Sequence, residues 1–325
     1  MKKLSSLTYR KYELGHGYLT YAVDFEKKSV GCADGESESS PGEVYIIGYS
    51  GHDTSVIIPE QIEGYPVVYI CKKAFLSNKV IREVMLPKTV IEIDDFCFAR
   101  CSKLKKIGLS YNELKLGQSV FLDCESLEEI INVSENILEK KVEDVAYLLA
   151  ATTGILDAPY LFDLKRAGNM EWFTQWDIRM LSKMEVDDSE GFSKMLLCGE
   201  EDYGSNETDP DFYKHLKRLA KCRVAILRLM HDSFLSIDNK EILKSYLLNL
   251  IKGCAHEETW EVVFNEHGDD KAYYEFLIEL GGVNENNIFL MLDEMGDRHP
   301  EMKAYIMKYN EEIHQEMDAF SEFEL

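Results

Sequence analysis

The chain has 325 residues, enough for two domains, and its hydrophobic fraction of 45% supports ordinary buried cores. Its net charge of −23 is uneven: residues 1–137 hold 16 basic and 20 acidic residues (−4), and residues 138–325 hold 20 and 39 (−19). Such a balance argues against nucleic acid, whose phosphates need a basic face, and against adhesion to an anionic membrane surface. The acidic half reads first as a solvated surface and second as a docking surface for a basic partner. No apolar run reaches the length of a membrane-spanning helix.

At the start, Met1, Lys2 and Lys3 give the basic opening of an export signal. Polar residues and Arg10, Lys11 and Glu13 then stand where its apolar core would have to be, so the expectation is a cytoplasmic protein. Residues 1–52 contain two strand-like runs, Leu19 to Val23 and Val44 to Ile47, separated by a Gly-, Ser- and acid-rich loop from Gly31 to Gly42. They are expected to form a β cap, because the end of a stacked sheet otherwise leaves an open edge.

Residues 53–133 repeat in steps of 23. Phe75, Phe98 and Phe121 form one column; Ile70, Ile93 and Leu116 another; then Ile81, Leu104 and Leu127; and Val84, Ile107 and Ile130. A unit this short cannot bury its own apolar side, so copies must stack and share a core, and each column becomes a ladder. In Ile81-x-x-Val84-x-Leu86 and its successor from Leu104 the alternation has the strand period, which turns Arg82, Glu83, Met85, Lys105, Lys106 and Gly108 outward. A second apolar run follows in each copy (Val90 to Ile93, Leu114 to Leu116), then a buried Phe and a turn at Asn78, Cys101 or Cys124.

The stretch Val84-Met85-Leu86-Pro87-Lys88-Thr89-Val90-Ile91-Glu92-Ile93, continuing through Phe98 to Cys101, resembles the BspA-type leucine-rich repeat. The upstream Val44 to Gly51 and Val56 to Pro59, with Ile62 to Val67, resemble that family's entry segment. The resemblance covers about residues 15–133. It implies a β solenoid that binds proteins, and it implies a secreted or cell-surface location as the alternative to the cytoplasm. Ser110 and Val133 replace the counterpart of Pro87, and Asn132 replaces an apolar residue, so the last copy is expected to be a degenerate cap.

From Ser134 the period becomes helical, with Val142, Val145, Ala146 and Leu149 in register, and residues 134–325 are expected to form an all-α, helical-repeat-like domain. The overall class is therefore α+β in two parts. Trp172 and Trp176, four apart, share a helix face. Helical patterns follow over Phe212–Met230, with Phe212, Leu216, Leu219, Ile226 and Met230 on one face, and over Ile242–Ile251. Val262 to Asp269 and Leu290 to Asp297 match at a step of 28, each ahead of an apolar helix. Phe276 to Asn284 resembles the close of an ankyrin repeat, over about residues 240–310, although that family's opening motif is missing.

No phosphate loop, nucleophile elbow, dinucleotide fingerprint or zinc-protease motif occurs, and the eight histidines are scattered, so no cofactor, metal or catalytic residue is expected. The acid-rich Gly199 to Pro210 lacks the glycine and final glutamate of a calcium loop, and the eight cysteines read as free, mostly buried thiols. The expected activity is non-catalytic recognition of a protein or peptide. The expected binding face holds Arg82, Glu83, Met85, Lys105, Lys106, Glu128, Glu129 and Ile131, within outward columns that also include Thr54, Ser55 and Ile57. The alternative is an enzyme with a cleft around Trp172, Trp176 and Tyr203.

Overall fold

A computed structural model describes residues 7–25, 42–112, 114–134, 140–193, 209–251 and 257–323. Two compact units are formed, Met1–Trp176 and Asp177–Leu325.

The first unit is a solenoid with two walls. One wall is a sheet in the order β1 (Arg10–Leu14), β2 (Gly17–Asp24), β3 (Glu43–Ser50), β6 (Tyr65–Ile70), β8 (Glu92–Ile93) and β10 (Lys115–Leu116), with β5 (Gln61–Ile62) paired to β6. Pairing is antiparallel through β1, β2 and β3 and parallel from β3 onward. The cap is thus continuous with the wall that it closes. β1 carries no apolar alternation because it is an exposed edge, and its sequence gave no strand signal.

The other wall is parallel throughout: β4 (Ser55–Ile57), β7 (Glu83–Met85), β9 (Lys106–Leu109) and β11 (Glu129–Asn132). Val56, Val84, Ile107 and Ile130 point inward, each at most 1% exposed. Between the walls the rings stack: Phe75 on Phe98 at 4.9 Å and Phe98 on Phe121 at 5.8 Å, both nearly parallel, with Tyr49 continuing the stack at one end and Phe162 packed at a tilt against Phe121 at the other.

The turns add a third set of rungs. The N–H groups of Lys73, Phe75 and Ser77 donate to the carbonyls of Asp95, Cys97 and Ala99, and those of Phe96, Phe98 and Arg100 to Gln118, Val120 and Leu122. Two residues per coil adopt left-handed backbone here, Lys73, Phe96 and Ser119 in one column and Ser77, Arg100 and Asp123 in the other, with φ between 50° and 63°. Cys101 and Cys124 each donate from sulfur, at 3.0 Å, to the carbonyl of the preceding coil's Phe75 or Phe98. Burial raises both thiols, Cys124 to about 12, so these are packing cysteines and poor nucleophiles. Cys32, Cys198 and Cys254 lie outside the described residues.

Secondary structure changes after β11, yet packing does not. Helix α1 (Lys140–Thr153) lies against β11, buries Leu148 and Leu149, and belongs to the solenoid unit. The first half of α2 (Met170–Glu185) completes this unit. The boundary in packing therefore falls at residues 176/177, some forty residues beyond the boundary in periodicity at Ser134.

The second unit is helical: α3 (Pro210–Met230), α4 (Ile237–Asn249), α5 (Glu258–Glu261, continued as a π turn over Val262–Glu266), α6 (Lys271–Glu279), α7 (Ile288–Met295) and α8 (Pro300–Phe323). Asp209, Ser236 and Asp270 cap α3, α4 and α6 through their side chains. Asp187 and Asp188 follow α2: Asp187 accepts from Ser189, and Asp188 pairs with Lys221 at 2.7 Å. The α3 face also differs from its periodicity. Leu216 is 44% exposed, whereas Arg228 is fully buried, because the guanidinium finds Asp177 at 2.7 Å and the carbonyl of Ser233 at 3.0 Å. Burial pushes the Asp177 carboxyl up, and Arg228 opposes that shift.

Candidate protein-binding face of the solenoid

The outer surface of the parallel wall is set by its register. Ser55, Glu83, Lys106 and Glu129 are laddered partners, as are Ile57, Met85, Gly108 and Ile131. One residue earlier, Arg82 donates its N–H to the carbonyl of Thr54, Lys105 to Arg82 and Glu128 to Lys105, at 2.7 to 2.8 Å. All eight expected face residues therefore lie on one surface, in the columns that their spacing predicts.

Their charges are mostly committed. Lys105 reaches Glu128 at 2.8 Å and Lys106 reaches Glu129 at 3.1 Å, while Glu83 accepts from the Ser55 hydroxyl at 3.1 Å. Exposed pairs of this kind contribute at most about 1 kcal/mol each. Arg82 is exposed and makes no ion pair among the described residues. Three positions further along the same face, Ile57 is 63% exposed and its laddered partner Met85 is half-buried.

Gly108 corrects the expectation of an outward position, because it is buried. A Cβ built there would lie 2.4 Å from the Met85 sulfur and 2.7 Å from Val133 Cγ1, so these side chains roof the gap that a glycine leaves. Sequence also missed Tyr147 of α1, whose hydroxyl donates to Glu129 at 3.0 Å. Burial, then the Glu129 charge, raises that phenol and keeps it a donor. This end of the face is thereby bounded by the helix.

The alternative cleft does not form around its tryptophans. Trp172 and Trp176 are at most 2% exposed, and their indole N–H groups donate to the carbonyls of Leu161 and Leu148 at 2.9 and 3.0 Å. Both are satisfied core residues. Tyr203 lies outside the described residues, and among those described no group of three or more His, Cys, Asp or Glu side chains could hold a metal ion.

Stacked short strands, turn ladders and a central phenylalanine column define a leucine-rich-repeat solenoid. Residues 49–143 match the BspA type leucine rich repeat region in six copies, and this part of the chain is such a region. No family match covers the helical unit. Solved structures similar to the chain include a T. pallidum leucine rich repeat protein (34% identity over 27% of this chain and 42% of that one, TM-score 0.26). Another is a leucine-rich repeat protein from Bacteroides capillosus (26%; 38% and 83%; 0.30), and a third a leucine rich cell surface protein from Faecalibacterium prausnitzii (24%; 38% and 33%; 0.26). The chain thus spans less than half the length of the first of these. No curated protein matches it. Leucine-rich-repeat proteins are in general protein-interaction modules. Among the described residues no helix is long and apolar enough to cross a membrane.

Proposed function

We propose that this chain is a non-catalytic recognition protein that holds a protein or peptide segment against the outer face of the parallel wall. The carrying observation is Arg82, an exposed cation without an ion-pair partner among the described residues, on the same outer face as the exposed Ile57 and the half-buried Met85, which ladder with each other three positions further along. The segment that fits is acidic with apolar residues interspersed, and the rest of the face supplies shape through Lys105, Lys106, Glu128 and Ile131. BspA-type leucine-rich-repeat proteins are often cell-surface proteins, which supports that location here. The test is Arg82→Glu, which removes the free cation and breaks no described pair. It is expected to leave the melting temperature within about 2 °C and to abolish capture of the partner that the wild-type chain retains from its source. Exchanging the charges of Lys105 and Glu128 keeps their pair and is expected to weaken capture less. Unchanged capture by Arg82→Glu would move the binding surface to the helical unit.

A further inference from the structure

The last coil abandons the repeat where it lines an open cavity of about 770 Å³, within the size range of small-molecule sites. By register, Asn132 occupies the place that Leu109 holds one coil earlier, and Leu86 one coil before that. Ser110 and Ser134, which also line the cavity, bond each other through their hydroxyls at 2.7 Å.

Asn132 is only 4% exposed, and an amide in a leucine's place costs stability unless it is satisfied. Half of it is: its oxygen accepts the N–H groups of Tyr111 at 3.3 Å and Ser134 at 3.1 Å. With the oxygen held there, both amide hydrogens are left over, and Nδ2 makes no hydrogen bond to a described residue. Nδ2 is not sealed from solvent, so this spare donor opens on the cavity that Asn132 lines, where it can meet an acceptor.

Charge identifies the acceptor. In a chain of −23, none of the residues described as lining this cavity is acidic, while Lys88 and Lys165 both are among them. Lys88 has only a loose, exposed contact with Glu60 at 3.6 Å, and the Lys165 ammonium has no partner among the described residues. Ile91, 45% exposed, adds apolar surface.

We infer that this cavity is a second binding site, separate from the sheet face, for a carboxylate carried next to an apolar group. Asn132 Nδ2 donates to the carboxylate, Lys88 and Lys165 balance its charge, and Ile91 covers the apolar part. The same chemistry is offered by a free branched-chain acid and by a glutamate side chain flanked by leucine.

The test uses the full chain, ¹⁵N-labelled, with the Asn132 side-chain NH₂ signals as reporter. One arm titrates 4-methylpentanoate and the other a terminally blocked Leu-Glu-Leu peptide, each beside its neutral amide analogue (4-methylpentanamide, Leu-Gln-Leu). At least one acid is expected to move the Asn132 signals saturably at millimolar concentration, with its amide at least tenfold weaker; which acid does so decides the source. Asn132→Leu restores the repeat residue and is expected to fold, and in it titration calorimetry should show at least tenfold weaker binding. Lys165→Ala, on the surface, should weaken binding severalfold and reduce its salt dependence, and it serves as the deciding variant if Asn132→Leu fails to fold. Failure of both acids to bind, equal binding of the amides, or wild-type affinity in a folded Asn132→Leu or in Lys165→Ala would overturn the assignment.

Discussion

Removing the Phe98 ring tests the shared core most directly. Phe98 is fully buried and is stacked on both sides, by Phe75 at 4.9 Å and by Phe121 at 5.8 Å. A buried phenylalanine removes on the order of 150 Å² or more from water, which at about 25 cal/mol per Å² is about 4 kcal/mol. That agrees with the roughly 3 to 5 kcal/mol seen for Phe→Ala in cores, where the cavity left behind adds to the transfer loss. Phe98→Ala should therefore lower the melting temperature of the solenoid unit by on the order of 8 to 16 °C, and Phe98→Leu by a third of that or less. Because two units unfold in one chain, a global denaturation curve would blend them. Native-state hydrogen exchange at the amides of Phe75 and Phe98, each bonded to the next coil's carbonyl, reads the solenoid alone. A loss under about 1 kcal/mol at these amides would mean that the column is not a shared core, and the stacking account would fail.

Cutting the chain at 176/177 should give two fragments that fold, the first rich in strand and the second helical by circular dichroism. A fragment ending at residue 137 should be markedly less stable, since it loses the helix that covers β11. Asp95 accepts the Gln118 N–H at 2.8 Å and the Lys72 ammonium at 3.1 Å, which hold its carboxyl below the ordinary value. Its contribution is therefore complete above about pH 4 and is lost as pH falls through the lower folded value. Melting temperatures between pH 5 and pH 2 should drop less steeply in Asp95→Asn than in the wild type. Asp177→Ala strands the buried Arg228 and should cost the helical unit about 3 to 5 kcal/mol in urea titrations. Arg228→Met together with Asp177→Leu should recover most of that loss.

The solenoid was legible because its physics is periodic. A core shared between identical coils forces like residues into like places, so Phe75, Phe98 and Phe121 disclosed both the fold and the register of the outer columns. What stayed hidden was set by partners distant in sequence. Nothing near Arg228 in the sequence marks it as buried, because Asp177 stands 51 residues away. Gly108 looked outward because the strand period says so, and nothing in the period says that Met85 and Val133 will close over it. The end of the first unit was hidden for a related reason: a change from strand to helix alters local periodicity, whereas a unit ends where packing ends. On the candidate face the strand positions were readable and the charge pairing only partly so. The residue types of these columns were visible, but the reach of Lys105 to Glu128 and of Lys106 to Glu129 depends on side-chain conformation.

The left-handed residues in the turns bear on copy number. Every coil brings two of them, and here they are Lys, Phe, Ser, Ser, Arg and Asp in place of the glycine that such backbone favours. Each carries a conformational cost of about 1 to 2 kcal/mol. Growth of the array by duplication therefore multiplies a penalty together with the core that offsets it, and a coil with a weakened core adds length at a net loss. Shortening or lengthening such a protein is accordingly a question of whether each inserted coil brings its own phenylalanine. In a designed array, glycine or asparagine at these two turn positions would loosen that requirement and allow longer solenoids from poorer cores.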